Sequence, residues 1–145
     1  MAAPREGRYE MTTEKTLFIV KPDAVSRNLT GSIIARFEQK GFRITHLKMF
    51  QFTRQQAEQF YKVHSEKPFF GELVSFICSG PVVAAVIEGG HAVPAVRTMI
   101  GATKSFEAQP GSIRGDYGLG FTDNIIHASD SGESFEHESR VVFGG

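Results

Sequence analysis

Four short segments of the chain carry the apolar patterns that predict β-strands. Residues 16–20 and 81–87 are nearly continuous apolar runs, which are typical of strands buried in a sheet. The lysine, proline and aspartate at 21–23 end the first run, because proline has no N–H to donate to a central ladder. Residues 42–52 alternate between apolar and polar side chains, and 124–127 form a fourth short apolar segment. The sequence therefore predicts a four-stranded sheet.

Amphipathic segments between these strands predict helices. The first helix ends at Gly41, where a C-cap glycine belongs. The second begins at a capping box formed by Thr53 and Gln56. Three more helices are predicted near 73–77, 93–100 and 131–140.

The element order β-α-β-α-α-β-α-β-α predicts an α+β sandwich on the ferredoxin-like plan, a four-stranded antiparallel sheet with helices packed on one face. Residues 1–13 are polar and aperiodic, and we expect them to form a flexible N-terminal arm. Residues 14–145 are then expected to form a single domain, since about 100–150 residues is the commonest domain size.

The composition excludes several classes of function. Of the 145 residues, 41% are apolar and 22% are charged, and the net charge is zero, so we expect neither disorder nor duplex-DNA binding. The longest strongly apolar run, 82–87, is far short of the ~20 residues that span a bilayer, so we expect no membrane partner. The single cysteine, Cys78, suits a reducing cytoplasm and excludes a cysteine-based zinc site.

Basic side chains are the candidates for binding phosphate, because the chain has neither a P-loop nor a complete dinucleotide fingerprint. Lys21 follows the first strand. Residues 101–120 form a glycine-rich segment that has no clear periodicity. Arg97 precedes this segment, and Arg114 lies within it. Guanidinium groups bind phosphate oxygens bidentately. Taken singly, each of these three residues is also explained as a solvated surface charge.

His127 is the sharpest candidate for a nucleophile. It ends the fourth predicted strand before a predicted helix N-terminus, where backbone N–H groups favour a phosphoryl group. Imidazole is a good nucleophile near neutral pH. Glu138, on the last predicted helix, can fold back to one ring nitrogen and leave the other free to attack. The alternative is a histidine packed at a strand end. We interpret the remaining histidines as structural or surface residues: His46, His64, His91 and His137.

Phe69 has two possible roles. Together with Phe70 it follows Pro68, and an exposed phenylalanine at such a break offers a face on which a nucleobase stacks. From these residues alone, packing in the core is the preferred interpretation.

Several motifs together resemble the nucleoside diphosphate kinase family. The most specific is Asn124-Ile125-Ile126-His127-Ala128-Ser129-Asp130, which matches the family signature Asn-x-x-His-Gly/Ala-Ser-Asp. The resemblance covers about residues 14–143 without an evident gap, and it includes matches at 20–23, 36–42, 67–70, 79–83, 101–103 and 110–116.

The resemblance implies an enzyme that transfers the terminal phosphate of a nucleoside triphosphate to a nucleoside diphosphate by a ping-pong mechanism, with broad base specificity. His127 would carry the phosphoryl group as a phosphohistidine, and Ser129 and Glu138 would orient its ring. Lys21 and Asn124 would contact the sugar hydroxyl and the phosphate region.

The family motifs also imply the remaining nucleotide contacts. The phosphates would be clamped by Arg97, Thr103 and Arg114. The base would stack on Phe69, with Phe121 at the position opposite, and Tyr61 is a further nucleotide position. The resemblance implies Mg²⁺ bound through the nucleotide phosphates without obligatory protein ligands. It also implies a homo-oligomer, a hexamer or a tetramer, to which the 101–120 segment contributes contacts.

Two alternatives remain at this point. Lys40-Gly41-Phe42 opens like the RNP1 motif of an RNA-binding module on a similar plan, but Ile44 and Leu47 stand where stacking aromatics are required. The other alternative is a catalytically silent scaffold of the same family. The presence of His127 and of the basic candidates argues against such a loss.

Overall fold

The computed structural model describes residues 13–144, so all but the last residue of the predicted N-terminal arm lies outside the described residues. A four-stranded sheet in the order β2-β3-β1-β4 forms the centre, and each neighbouring pair is antiparallel. The expected antiparallel sheet is therefore confirmed. Its strands are β1 (Thr13–Val20), β2 (Arg43–Phe50), β3 (Val82–Gly90) and β4 (Ile126–Ala128).

Helices connect the strands, and two of their predicted ends are confirmed. Gly41 caps the second helix with a φ of 115°, in the left-handed region that glycine adopts without strain. Thr53 and Gln56 form the capping box of the third. None of the helices in the described residues is long and apolar enough to cross a bilayer. The helices are α1 (Pro22–Ser26), α2 (Thr30–Lys40), α3 (Arg54–Phe60), α4 (Phe70–Ile77), α5 (Ala92–Ile100), α6 (Ile113–Tyr117) and α7 (Gly132–Phe143).

The sheet is covered on both faces, so the expectation of helices on a single face is wrong. Along β1, Phe18 and Val20 pack with α2 and α5, whereas Leu17 and Ile19 pack with α3, α4 and α7. All four side chains are fully buried. The reason is that successive side chains of a strand point to opposite faces, so a continuous apolar run has apolar groups on both.

The fourth strand begins later than predicted, because the backbone turns at Ile125. This residue has a φ of 79°, and the N–H of Ile126 donates to the carbonyl of Asn124 at 2.8 Å. Asn124 and Ile125 therefore lie in a turn, and His127 is the central residue of β4 rather than its end. Residues 128–131 separate His127 from α7, so the prediction that it directly precedes a helix is also wrong.

The 101–120 segment contains ordered elements that its sequence did not indicate. A 3-10 turn spans Ser105–Glu107, and α6 follows, with the Oγ of Ser112 accepting a hydrogen bond from the N–H of Gly115 as its N-cap. A five-residue helix is too short to give a periodic apolar pattern. This helix places Arg114 beside the first residue of β4, Ile126.

Candidate active site

One pocket of about 490 Å³ gathers almost all of the predicted site residues. This volume lies within the range of small-molecule sites. The exception is Ser129, which is buried behind Glu138. The predicted residues that line the pocket are Lys21, Tyr61, Phe69, Arg97, Thr103, Arg114, Phe121, Asn124, His127 and Glu138.

A chain of hydrogen bonds orients His127. Oε1 of Glu138 lies 2.9 Å from Nε2 of His127, and the Oγ of Ser129 donates to the same oxygen at 2.7 Å. Burial alone would raise the pKa of Glu138, but attraction to His127 and the hydrogen bonds from His127 and Ser129 outweigh it and leave the pKa below its ordinary value. An ionised Glu138 accepts a hydrogen bond from the N–H at Nε2, so Nδ1 is the ring nitrogen left with a free lone pair.

Aromatic edges fix the plane of the His127 ring. The ring of Phe60 meets it edge-on with centroids 4.9 Å apart, and that of Tyr61 does so at 6.3 Å. Burial, and then the charge of Glu138, raise the pKa of Tyr61, so its phenol stays neutral. The nucleophile candidate is thus held by packing as well as by hydrogen bonds.

Lys21 and Asn124 form a second buried polar cluster. Nζ of Lys21 donates to Oδ1 of Asn124 at 2.8 Å and to the carbonyl of Thr122 at 2.9 Å. Nδ2 of Asn124 donates to the carbonyl of Thr103, which places that residue at the same rim. Burial, and then the charge of Arg114, lower the pKa of Lys21 to about 8. Lys21 is only 4% exposed, so its interpretation as a solvated surface charge is wrong.

Arg114 is buried too, and three backbone carbonyls hold its guanidinium. Nε, Nη1 and Nη2 donate to the carbonyls of Asn124, Gly101 and Ile126 at 3.2, 3.0 and 2.6 Å. Arginine has five N–H groups, so two remain for a ligand in the pocket. Burial, and then repulsion from Arg97, lower the pKa of Arg114 to about 10. Arg97 is half-buried and donates to the carbonyl of Ala128 at 3.1 Å.

Phe69 and Phe121 face each other across the mouth of the pocket. Their centroids are 6.1 Å apart and their planes are nearly perpendicular, at 84°. Phe69 is half-buried and Phe121 is 41% exposed, so the preferred interpretation of Phe69 as a core residue is wrong. Both rings line the pocket, and they meet edge to face.

The sequence interpretation missed His64. We expected it to be a structural or surface residue, yet it lines the pocket. Its ring centroid lies 6.4 Å from that of Tyr61 and 6.0 Å from that of Phe69. Its buried Nδ1 has no hydrogen-bond partner among the described residues. The 3-10 turn Lys62–His64 brings it there, and its spacing of three residues from Tyr61 was the available signal.

The RNA-binding alternative fails on the position of Phe42. That residue is 8% exposed and packs in the core beside Gly89, so it has no free face for a base. Lys40 and Gly41 are simply the end of α2 and its cap.

Acidic donors for a metal are sparse in the described part of the chain, where no group of three or more His, Cys, Asp or Glu side chains is placed to hold an ion. In the pocket, Glu138 is engaged by His127 and Ser129. Asp130 also lines the pocket, and its pKa is lowered, first by the hydrogen bond from Ser134.

The comparison with known proteins agrees with this geometry. The family model described as nucleoside diphosphate kinase matches residues 14–145. The chain is 55% identical to a nucleoside diphosphate kinase of Hyperthermus butylicus over 133 residues, which are 92% of this chain and 94% of that protein.

Two solved structures are similar throughout. The nucleoside diphosphate kinase of Aquifex aeolicus superimposes with a TM-score of 0.89 at 51% identity, covering 92% of this chain and 97% of that one. The enzyme of Halobacterium salinarum in complex with CDP has a TM-score of 0.89 at 43% identity, covering 92% and 90%. The chain therefore belongs to the nucleoside diphosphate kinase family and is an enzyme with that activity.

Proposed function

We propose that this chain performs the family's reaction through a phosphohistidine at His127, with Nδ1 as the attacking atom. The observation that carries the proposal is the hydrogen bond between Nε2 of His127 and Oε1 of Glu138, because it engages one nitrogen of a ring that lines the pocket and leaves the other with a free lone pair. In the first half-reaction Nδ1 forms a bond to the γ-phosphorus of a nucleoside triphosphate, and the bond from that phosphorus to the bridging oxygen breaks.

The second half-reaction reverses the first on a different nucleotide. Before it begins, the nucleoside diphosphate produced in the first half-reaction leaves with the bridging oxygen and its electron pair. A second nucleoside diphosphate then attacks the phosphohistidine and takes the phosphoryl group. Ionised Glu138 stabilises the positive charge that the His127 ring gains in each direction. Ser129 holds the carboxylate by its hydrogen bond at 2.7 Å.

Cationic side chains would bind the phosphates. Arg97 and Arg114 both line the pocket, and the two N–H groups of Arg114 that are not bound to carbonyls are available to phosphate oxygens. Thr103 also lines the pocket. Lys21 and Asn124 are already joined by a hydrogen bond and would meet the sugar hydroxyl and the phosphate region together.

Mg²⁺ would accompany the nucleotide. Bound to the phosphate oxygens, the ion would neutralise part of their negative charge. Asp130 also lines the pocket, and its carboxylate accepts a hydrogen bond from the Oγ of Ser134 at 2.6 Å.

The base would bind between Phe69 and Phe121, and the buried Tyr61 also lines the pocket. Stacking on an aromatic face favours no particular base, which supports broad use of nucleoside diphosphates and triphosphates. The two rings now touch edge to face, so base entry requires one of them to turn.

A homo-oligomer is supported by apolar side chains that a lone chain leaves exposed. Phe106 and Leu119 in the 101–120 segment are 63% and 81% exposed, and Met49 on the edge strand β2 is 62% exposed. Sedimentation equilibrium distinguishes a tetramer from a hexamer. We also propose a cytoplasmic location, which the single cysteine supports.

Labelling with [γ-³²P]ATP tests the phosphohistidine. Wild-type protein is expected to acquire acid-labile, base-stable label and to release it to a nucleoside diphosphate. His127→Ala should acquire none and lose several powers of ten in turnover, of order 10³-fold or more. His91→Ala, at an exposed histidine before α5, is the matched control and should label as the wild type does. Label at the wild-type level on His127→Ala would assign the phosphoryl group to another residue, and no label on the wild type would identify a silent scaffold.

A further inference from the structure

Ile125 is held in a backbone conformation that β-branched residues rarely adopt. Its φ is 79° and its side chain is fully buried. The hydrogen bond from the N–H of Ile126 to the carbonyl of Asn124 closes a γ-turn of the rare, strained type with positive φ. Such strain persists only where the surrounding structure imposes it, and it is concentrated at functional sites.

This turn supports the phosphate-binding side of the active site. The carbonyls of Asn124 and Ile126, on either side of Ile125, both accept hydrogen bonds from the guanidinium of Arg114. The side chain of Asn124 accepts a hydrogen bond from Lys21. His127 follows the turn directly. The φ of Ile125 therefore controls how two carbonyls converge on Arg114.

The carboxylate of Asp23 binds the strained residue itself. Its Oδ2 accepts a hydrogen bond from the N–H of Ile125 at 3.1 Å, and the N–H of Lys21 donates to the carbonyl of Ile125 at 2.9 Å. Asp23 is the second residue of α1, directly after Pro22, so its position relative to β1 is rigid. Its other oxygen, Oδ1, is buried without a hydrogen-bond partner in the described part of the chain. Asp23 does not line the pocket.

We propose that Asp23 is a positioning residue for phosphoryl transfer: its carboxylate holds the 124–126 turn in its strained form and thereby keeps Arg114 and Asn124 aimed at the nucleotide. The inference rests on the roles proposed above for those two residues. If the hydrogen bond to Asp23 is lost, Ile125 can relax toward negative φ. The flanking peptide planes then rotate, and the two carbonyls no longer converge on the guanidinium.

Substitution of Asp23 separates this role from general stabilisation. Asp23→Ala removes the acceptor and is expected to slow phosphohistidine formation in single turnover by roughly 10- to 100-fold. Asp23→Asn keeps an oxygen at the same place and should stay within about 3-fold of the wild type. Glu14→Ala is the matched control, since Oε1 of Glu14 likewise accepts a backbone N–H, that of Val93 at 3.2 Å, away from the pocket. It should lower Tm while it leaves the transfer rate unchanged.

A glycine at position 125 tests the mechanism directly, because glycine adopts positive φ without strain. We expect Asp23→Ala/Ile125→Gly to transfer phosphate about as fast as Ile125→Gly alone, and faster than Asp23→Ala. If Asp23→Ala does not fold but the double variant does, the proposal is also supported, because relief of strain has replaced the carboxylate.

Three results overturn the proposal: phosphorylation of Asp23→Ala at the wild-type rate, a double variant no faster than Asp23→Ala, or failure of both to fold. These outcomes are separate from a failure of the proposed function, which would show as wild-type protein that forms no phosphohistidine.

Discussion

The carboxylate of Glu138 on α7 reaches to 2.9 Å from Nε2 of His127 on β4. Glu138 lies eleven positions after His127 along the chain, and the connection crosses from the sheet to the helix that covers one of its faces. The contact selects the tautomer of His127 that carries its proton on Nε2. It therefore decides which ring nitrogen is available to a phosphoryl group.

Replacing Glu138 with Gln tests the value of that contact. Gln keeps the shape and an acceptor oxygen but removes the charge. A hydrogen bond to a charged group contributes ~1.5–3 kcal/mol, so we expect phosphohistidine formation to slow by roughly 10- to 150-fold without being abolished. Rapid-quench measurement of enzyme phosphorylation by ATP gives the rate. Glu136→Gln, at an exposed position of the same helix, is the control. A Glu138→Gln enzyme phosphorylated at the wild-type rate would remove the orienting role.

Arg114→Lys keeps a positive charge but loses the planar group that spans three carbonyls and the pocket. A lysine ammonium cannot reach the same carbonyls and a phosphate together. We expect kcat/KM to fall by about 10- to 100-fold while the fold survives, as checked by steady-state kinetics and Tm. Arg43→Lys, an exposed ion-pair residue on β2, should change neither. An unchanged kcat/KM for Arg114→Lys would leave Arg114 with a purely structural role.

Base specificity should be broad. Phe69 and Phe121 offer aromatic faces rather than groups that read base edges. Purine and pyrimidine nucleoside diphosphates should therefore be accepted within about two orders of magnitude of each other in kcat/KM. Phe69→Ala should weaken all of them alike, by roughly 5- to 150-fold for a stacking energy of about 1–3 kcal/mol. Leu47→Ala, at an exposed apolar position of β2 outside the pocket, is the control. Strict use of one base would contradict stacking as the basis of recognition.

The titration of Lys21 predicts a pH dependence. Its pKa in the folded protein is about 8, lowered from 10.5 chiefly by burial. Loss of its charge above that value should weaken phosphate binding, so kcat/KM should decline as pH rises through about 8. Lys21→Arg stays charged and should be less active but flat over the same range, to about pH 9. A decline of equal size in Lys21→Arg would assign the titration to another group.

The lowered pKa of Lys21 has opposite effects on activity and on stability as the pH rises. Between pH 8 and 10.5 the unfolded chain holds the Lys21 proton and the folded chain does not. The contribution of Lys21 to the free energy of unfolding therefore rises with pH in that window, while activity falls. Chemical denaturation of the wild type and of Lys21→Arg at two pH values separates this term from others.

Local patterns were sufficient to predict most elements of the fold. Gly41 and the pair Thr53 and Gln56 set helix ends through bonds within a few residues, and such bonds depend on adjacent sequence alone. The apolar runs of β1 and β3 were equally clear. Adjacent side chains of a strand point in opposite directions, so these runs have apolar groups on both faces of the sheet, which the expectation of helices on a single face did not take into account.

The motifs in the sequence were the main means of identifying the residues of the candidate site. Only the tertiary structure showed how these residues interact. His127 was a plausible packed histidine until Glu138, Phe60 and Tyr61 were placed around it. His64 entered the pocket through a 3-10 turn that has no periodic signature.

The sequence alone thus determined the helix caps and the positions of most strands and helices, because caps, turns and apolar periodicity act over a few positions. The burial of Lys21 and Arg114, and the strained turn at Ile125, were decided only by the tertiary structure. Each depends on partners about ten to a hundred residues away, such as Asp23 for Ile125 and Asn124 for Lys21. Desolvation and long-range hydrogen bonds exist only once those segments are brought together, and they give the ordinary side chains of this site their altered chemistry.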